Sequence, residues 1–304
     1  MPAAEGIESW LINGAYSWLP NPAGSLRLDV SAANDALAEA LAGEIARFSC
    51  AAYESLLDAR APLQDSRSLG WPLVRYYYAS FYAAHAILRI AGTTVTMISP
   101  QTASLLNRVG GQYLGLPPQI SSGLHTLQVD QTDPGKVQLT KIGSSNGGSH
   151  EEMWKLFLAL MLQLEDQIVL TIGGAKDAQA TVQVLSELRN QLCRQGKANG
   201  AWPSTVRNNV NYRHEYGVWY PYKLKTRLST ELHARMARWS PQDPNGFEIG
   251  RSANELACFI DICNVLAQLL TSALTDISRR TTSAKAGFVD RLPFKLLRLN
   301  EVAV

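Results

Sequence analysis

"GWPLVRYYYASFYAAHAILRIAG", residues 70–92, decides how the rest of the chain is read. Pro72 lies near its start and Gly92 just past its end. That is the asymmetry of a helix, because proline fits only the first turn and glycine readily takes the left-handed conformation that stops one. Between the two the stretch is apolar or aromatic almost all round, so a helix here belongs at the centre of a bundle. His85, flanked by alanines within it, reads as a satisfied core histidine.

Neighbouring segments repeat the helical pattern. Residues 31–58, "SAANDALAEALAGEIARFSCAAYESLLD", place Leu37, Leu41, Ile45, Phe48, Ala52 and Leu56 at helical spacing. "HEEMWKLFLALMLQLEDQIVL" opens with Glu151 and Glu152, where the positive end of a helix dipole favours carboxylates. Residues 177–195 form a further helix that stops at "GKANG", and a short one should begin after Pro203. "SANELACFIDICNVLAQLLTSALTDI", 252–277, has Ser252 followed three residues later by Glu255, the pattern of a capping box. Between Thr93 and Ser149 the periodicity lapses into turn-rich sequence, in which "KVQLTKI" alternates well enough for a minor hairpin. The expected fold is all-α: a helical bundle over 31–278, interrupted by an irregular insertion at 93–149. An N-terminal extension (1–30) and a basic C-terminal tail (279–304) flank it.

With 304 residues, 46% hydrophobic and 18% charged, the chain has the balance of a compact globular protein. Its four cysteines, Cys50, Cys193, Cys258 and Cys263, form no CxxC pair, so neither a disulfide framework nor a zinc knuckle is indicated. The N-terminus lacks the basic region and apolar run of a signal peptide, and Glu165 and Asp166 interrupt the most apolar window. A cytoplasmic protein without a membrane partner is expected. "GSSNGGS" has no Lys-Ser/Thr after it, and "HEYGV" has Val218 where a zinc motif needs its second histidine. No metal ion and no cofactor is expected.

Net charge is only +2, but its distribution is uneven. From Arg189 to Arg238 ten Lys/Arg face only Glu215 and Glu231, a net of +8. Such a concentration suggests an electropositive face able to track phosphates. Within it lies "TVRNNVNYRHEYGVWYPY", residues 205–222. Placed on one helix, Arg207, Asn211 and His214 share a stripe, Arg207 and His214 differing by about 20° in direction and about 10 Å along the axis. A histidine there can move the proton of a ribose 2′-OH or of a leaving 5′-oxygen, and a guanidinium can hold the phosphate oxygens. Asn211, Arg213, Tyr216 and Lys223 are the further candidates for contact with RNA.

On these residues the chain resembles the HEPN superfamily, whose catalytic members are helical-bundle endoribonucleases with an Arg-x4-6-His motif and a polar residue after the arginine. Here the motif reads Arg207, Asn208, "NVNYR", His214. The Tyr- and Ala-rich stretch from Val74 is similar to an early bundle helix of these proteins, and the helix from Ser252 to their last. A second match, Arg227 to His233, has Leu228 in place of the polar residue. The resemblance implies metal-independent cleavage of RNA, such as tRNA or mRNA, to a 2′,3′-cyclic phosphate and a 5′-hydroxyl. His214 would be the general acid/base, Arg207 the clamp and Asn208 the support. It also implies a homodimer with the site at the interface, and a toxin or anti-phage role with an antitoxin or sensor partner. Tyr216, in His-x-Tyr, is similar to a tyrosine that is AMP-modified in HEPN toxins paired with nucleotidyltransferase antitoxins. Two other readings stand beside this one: a non-catalytic RNA- or nucleotide-binding scaffold, and a helical protein-interaction domain.

Overall fold

The computed structural model describes residues 6–20, 24–60, 68–143, 148–172, 174, 176–219, 226–240, 249, 252–281, 287–300 and 302. In chain order the first half contains α1 (Ile7–Asn13), β1 (Ser17–Leu19), β2 (Ser25–Asp29), α2 (Asn34–Arg60), α3 (Gly70–Ile90), β3 (Thr93–Ile98), α4 (Pro100–Leu114), β4 (Gly123–Val129) and β5 (Lys136–Lys141). The second contains α5 (Ser149–Ile172), α6 (Lys176–Leu192), α7 (Trp202–Asn211), α8 (Thr226–Ala237), α9 (Glu255–Arg280), α10 (Phe288–Arg291) and α11 (Pro293–Leu299). Two compact units result, residues 1–47 with 85–152 and residues 48–84 with 153–304. The divisions fall inside α2, α3 and α5.

The first unit corrects the expected fold: it is built on a five-stranded antiparallel sheet, ordered β1-β2-β5-β4-β3, so the chain is mixed α/β and not all-α. The stretch expected as an irregular insertion supplies β3, α4, β4 and β5, and the N-terminal extension supplies α1, β1 and β2. The alternation in "KVQLTK" is real, burying Val137 and Leu139, but its strand lies mid-sheet, with Leu139 opposite both Leu26 and Leu127. Those leucines, with Ile7, Trp10, Leu11, Ile98 and Leu106, make one apolar cluster. At the end of α3, Gly92 (φ 75°) turns the chain into β3, whose threonines and valine suit an extended, half-buried strand. Ser99 then caps α4 by accepting the Thr102 N–H, with Pro100 in the first turn. Arg89, buried beside Glu44, also donates to the carbonyls of His85 and Val95, while Glu44 accepts the Ile7 N–H at 3.0 Å. His85 is the buried core histidine its sequence context suggests, its Nδ1 3.1 Å from Arg89.

The second unit is helical. Its densest element is α9, buried over most of its length from Leu256 to Leu274. Three of its polar residues are paired, Thr271 with the Tyr53 hydroxyl (2.9 Å), Asn264 with the Tyr76 hydroxyl (3.1 Å) and Asp261 with Arg235 (2.6 Å), whereas the buried Gln268 amide has no hydrogen-bond partner among the described residues. Asn254, rather than Ser252, is its N-cap, accepting the Ala257 N–H, while Ser252 in turn accepts the N–H of Asn254. The residues expected as a basic tail fold into α10 and α11, with Val289, Phe294 and Leu297 buried. Among the described residues α9 is the one helix long and apolar enough to cross a membrane, and 83% of its apolar window is buried inside the protein, as befits a core helix.

Candidate functional site

α7 begins with Trp202 and Pro203 and buries Val206, Arg207 and Val210 on its inner face. That places a guanidinium inside the helical unit. Arg207 is only 8% exposed, and among the described residues no carboxylate pairs with it. Its charge lies against aromatic rings instead: the guanidinium carbon is 5.1 Å from the centroid of Tyr77, 6.0 Å from Tyr78 and 5.8 Å from Tyr212. Nη1 donates a long hydrogen bond to the Tyr212 hydroxyl (3.5 Å), the Tyr77 phenol accepts another from the guanidinium, and Nε is buried with no partner among the described residues. Ring faces attract a cation, but they do not replace the hydrogen bonds that five N–H donors lose on leaving water. Beneath the site Tyr77 is fixed by Ser204 (2.7 Å) and by the Trp154 indole N–H (3.2 Å). Burial raises the Tyr77 phenol above its ordinary pKa, so it stays a neutral floor.

The stripe expected to align Arg207, Asn211 and His214 on one helix does not form. α7 ends at Asn211, and His214 has left-handed backbone angles (φ 53°, ψ 30°) at the start of a 3-10 turn, 215–217. The cause is local. In a continuing helix the Val210 carbonyl would accept the N–H of residue 214, but the Trp219 indole N–H takes it at 2.6 Å. Both Tyr212 and Arg213 turn back to the Asn208 carbonyl, closing the end. His214 is exposed and stacks on Trp219, ring centroids 5.7 Å apart. Among the described residues no hydrogen bond or ring contact joins it to Arg207.

The remaining candidates divide in the same way. Asn208 is exposed and its side chain makes no hydrogen bond among the described residues; Asn211 is half-buried at the helix end. Arg213 is exposed, its Nη1 3.4 Å from the Asn209 side-chain oxygen Oδ1 and 3.8 Å from Glu215. Lys223 lies outside the described residues. Tyr216 also has a left-handed backbone (φ 68°), which a bulky residue holds only when its surroundings insist. They do: its phenol donates to Glu255 and accepts from Asn209, and burial pushes its pKa up to about 12. Glu255 accepts from the Gln195 amide (2.8 Å) and the Trp202 indole (3.2 Å) as well, so the first turn of α9 anchors the loop.

Several residues here were not visible as site residues in the sequence. Tyr77 and Tyr78 sit in the run "RYYYASFY", whose chemistry reads as core until Arg207 is placed against it. The basic concentration is also partly neutralised, since Arg189 pairs with Glu165 (3.1 Å) and Arg235 with Asp261 and Glu231. Among the described residues no three His, Cys, Asp or Glu side chains gather to hold a metal ion. Comparison of the chain with family models, curated proteins and solved structures finds no match in any of the three. The site is therefore read from its own chemistry.

Proposed function

We propose that the chain binds RNA with one phosphodiester on Arg207 and cleaves it by the HEPN-type, metal-independent route. The observation that carries this reading is the Arg207 guanidinium, buried against Tyr77, Tyr78 and Tyr212 with, among the described residues, no carboxylate partner and no partner for Nε. A buried cation without a counter-charge is costly, and an incoming phosphate supplies both the charge and forked acceptors for its donors. His214 takes the proton from the 2′-hydroxyl as its oxygen bonds to phosphorus. The P–O5′ bond breaks, and the leaving oxygen regains a proton, leaving a 2′,3′-cyclic phosphate and a 5′-hydroxyl. Asn208 supports the catalytic pair, and Asn211, Arg213, Tyr216 and Lys223 contact the strand. Because no hydrogen bond or ring contact among the described residues joins Arg207 to His214, the reading includes a homodimer in which the histidine of one copy meets the arginine of the other. It also places the protein in the cytoplasm, as a toxin or anti-phage effector held by an antitoxin or sensor, with Tyr216 as the modifiable position.

A second reading has its own observation. His214 rests on Trp219 as a packing element, which is what a non-catalytic RNA- or nucleotide-binding scaffold would also show. Incubating total RNA and tRNA with purified protein in excess EDTA separates the two. Cleavage by the wild type and none by His214→Asn supports the nuclease. RNA binding without cleavage by either protein supports the scaffold, and equal cleavage by both removes His214 from the chemistry.

A further inference from the structure

Trp71 is the largest apolar side chain on α3 and stands 61% exposed, although the next residues of that helix are buried. It is nonetheless held in place. Its ring meets Trp219 edge to face, centroids 5.5 Å apart and planes at 87°. Trp219 is itself fixed by its bond to the Val210 carbonyl, and it lies so close over Gly70 that a Cβ there would come within 2.3 Å of the ring. His214 stacks on the same indole. Trp71, Trp219 and His214 thus form one rigid aromatic array with the Trp71 side open to solvent.

The array leads to Arg207. Trp71, Arg75 and Tyr78 are spaced i, i+4, i+7, so they make one stripe along α3, and Tyr78 is one of the rings under the Arg207 guanidinium. From Trp71 to Tyr78 is about 10 Å along the axis, a length that two or three stacked nucleotides cover. Arg75, midway, is half-exposed and only 3.7 Å from an exposed Asp58, a solvent-screened pair that leaves it able to meet a phosphate. We propose that the open face of Trp71 is a stacking platform for an unpaired base of the strand whose phosphate Arg207 takes, which makes the ligand single-stranded rather than duplex RNA. A paired base has both faces covered by its neighbours, whereas an unpaired one gains a pre-ordered indole at no cost in side-chain freedom. The assignment rests on the RNA reading of Arg207.

The test is fluorescence anisotropy with two labelled probes of equal charge, an unstructured single-stranded RNA dodecamer and the same strand with abasic spacers at its four central positions. Trp71→Ala should weaken binding of the first about tenfold and leave the second unchanged, and Trp71→Phe should keep most of the affinity. Thermal melts should match the wild type, since the side chain is exposed. If Trp71→Ala binds the dodecamer as the wild type does while Arg207→Met has lost it, the platform is refuted and the Arg207 reading stands. If the wild type binds neither strand, both fall together.

Discussion

The His214 ring lies on the Trp219 indole at 5.7 Å with the planes 30° from parallel. The position of the histidine is therefore set by an indole that also ends α7, and its backbone pays for this with a left-handed conformation. Asparagine accepts that conformation more readily than most residues and has no ring to titrate. His214→Asn should accordingly fold with a melting temperature near that of the wild type and lose RNA cleavage by about 100-fold or more, as expected for removal of a general acid/base. Cleavage retained in that variant would exclude the assigned role.

Arg207 separates stability from function. Among the described residues its buried guanidinium has no carboxylate partner and its Nε no hydrogen bond, so Arg207→Met, which keeps much of the length and removes the charge, should be neutral or stabilising by about 1 kcal/mol. The same substitution should abolish RNA binding. Denaturant unfolding and anisotropy on one preparation check both. A large loss of stability would mean that Arg207 is structural, and would favour the protein-interaction reading.

What the sequence made legible follows from period and length. Helices of the second unit announce themselves through long apolar stripes, as in α3 and α9, and the proline and glycine that bound α3 are where the structure uses them. The sheet did not, because β1 and β2 are three and five residues long and clean alternation is confined to short runs, "SLRLD" in β2 and "KVQLTK" in β5. Too few residues carry the period-two pattern for it to stand out. At the site the spacing expects Arg207 on a stripe open to phosphate with Asn211 and His214, whereas the fold buries it with Val206 and Val210 on the inner face of α7. The break before His214 depends on a tertiary contact from Trp219, nine residues beyond the carbonyl it caps, and no helical wheel contains it.

Glu255 ties three elements together through Gln195, Trp202 and Tyr216. Glu255→Ala removes the acceptor for all three and leaves the Trp202 indole N–H unpaired and buried, a loss of about 1–3 kcal/mol in denaturant unfolding. Glu255→Gln keeps an acceptor oxygen and should recover part of it. With the loop released, protease cleavage near 214–217 should increase in Glu255→Ala before global unfolding.

Acid should destabilise the protein well above the carboxylate range. Burial, with Arg89 beside it, holds His85 well below its ordinary pKa of 6.5, and burial lowers His125 and His233 in the same direction. The unfolded chain therefore binds more protons below about pH 6.5, and the stability present above that pH is lost as the pH falls through the lowered values. Melting temperatures should drop between pH 6.5 and 5. His125→Leu, which removes a buried ring whose Nε2 has no partner among the described residues, should flatten that drop.

Gly70→Ala tests the link between packing and chemistry. A Cβ at position 70 would lie 2.3 Å from the Trp219 ring, too close for that ring to stay where it is. Overpacking of this kind costs about 1–3 kcal/mol, and here the response available is for Trp219 to move, because Gly70 is the first residue of α3 and its backbone is tied by the Leu69 N–H to the Val218 carbonyl (3.0 Å). Moving Trp219 frees the Val210 carbonyl and removes the surface under His214, while Arg207 on the inner face of α7 keeps its tyrosines. The variant should then bind single-stranded RNA no more than about tenfold more weakly, the share of the Trp71 platform that Trp219 holds, but cut it at least about a hundredfold more slowly. Loss of binding and cleavage in equal measure would show that the loop serves to hold RNA rather than to place His214.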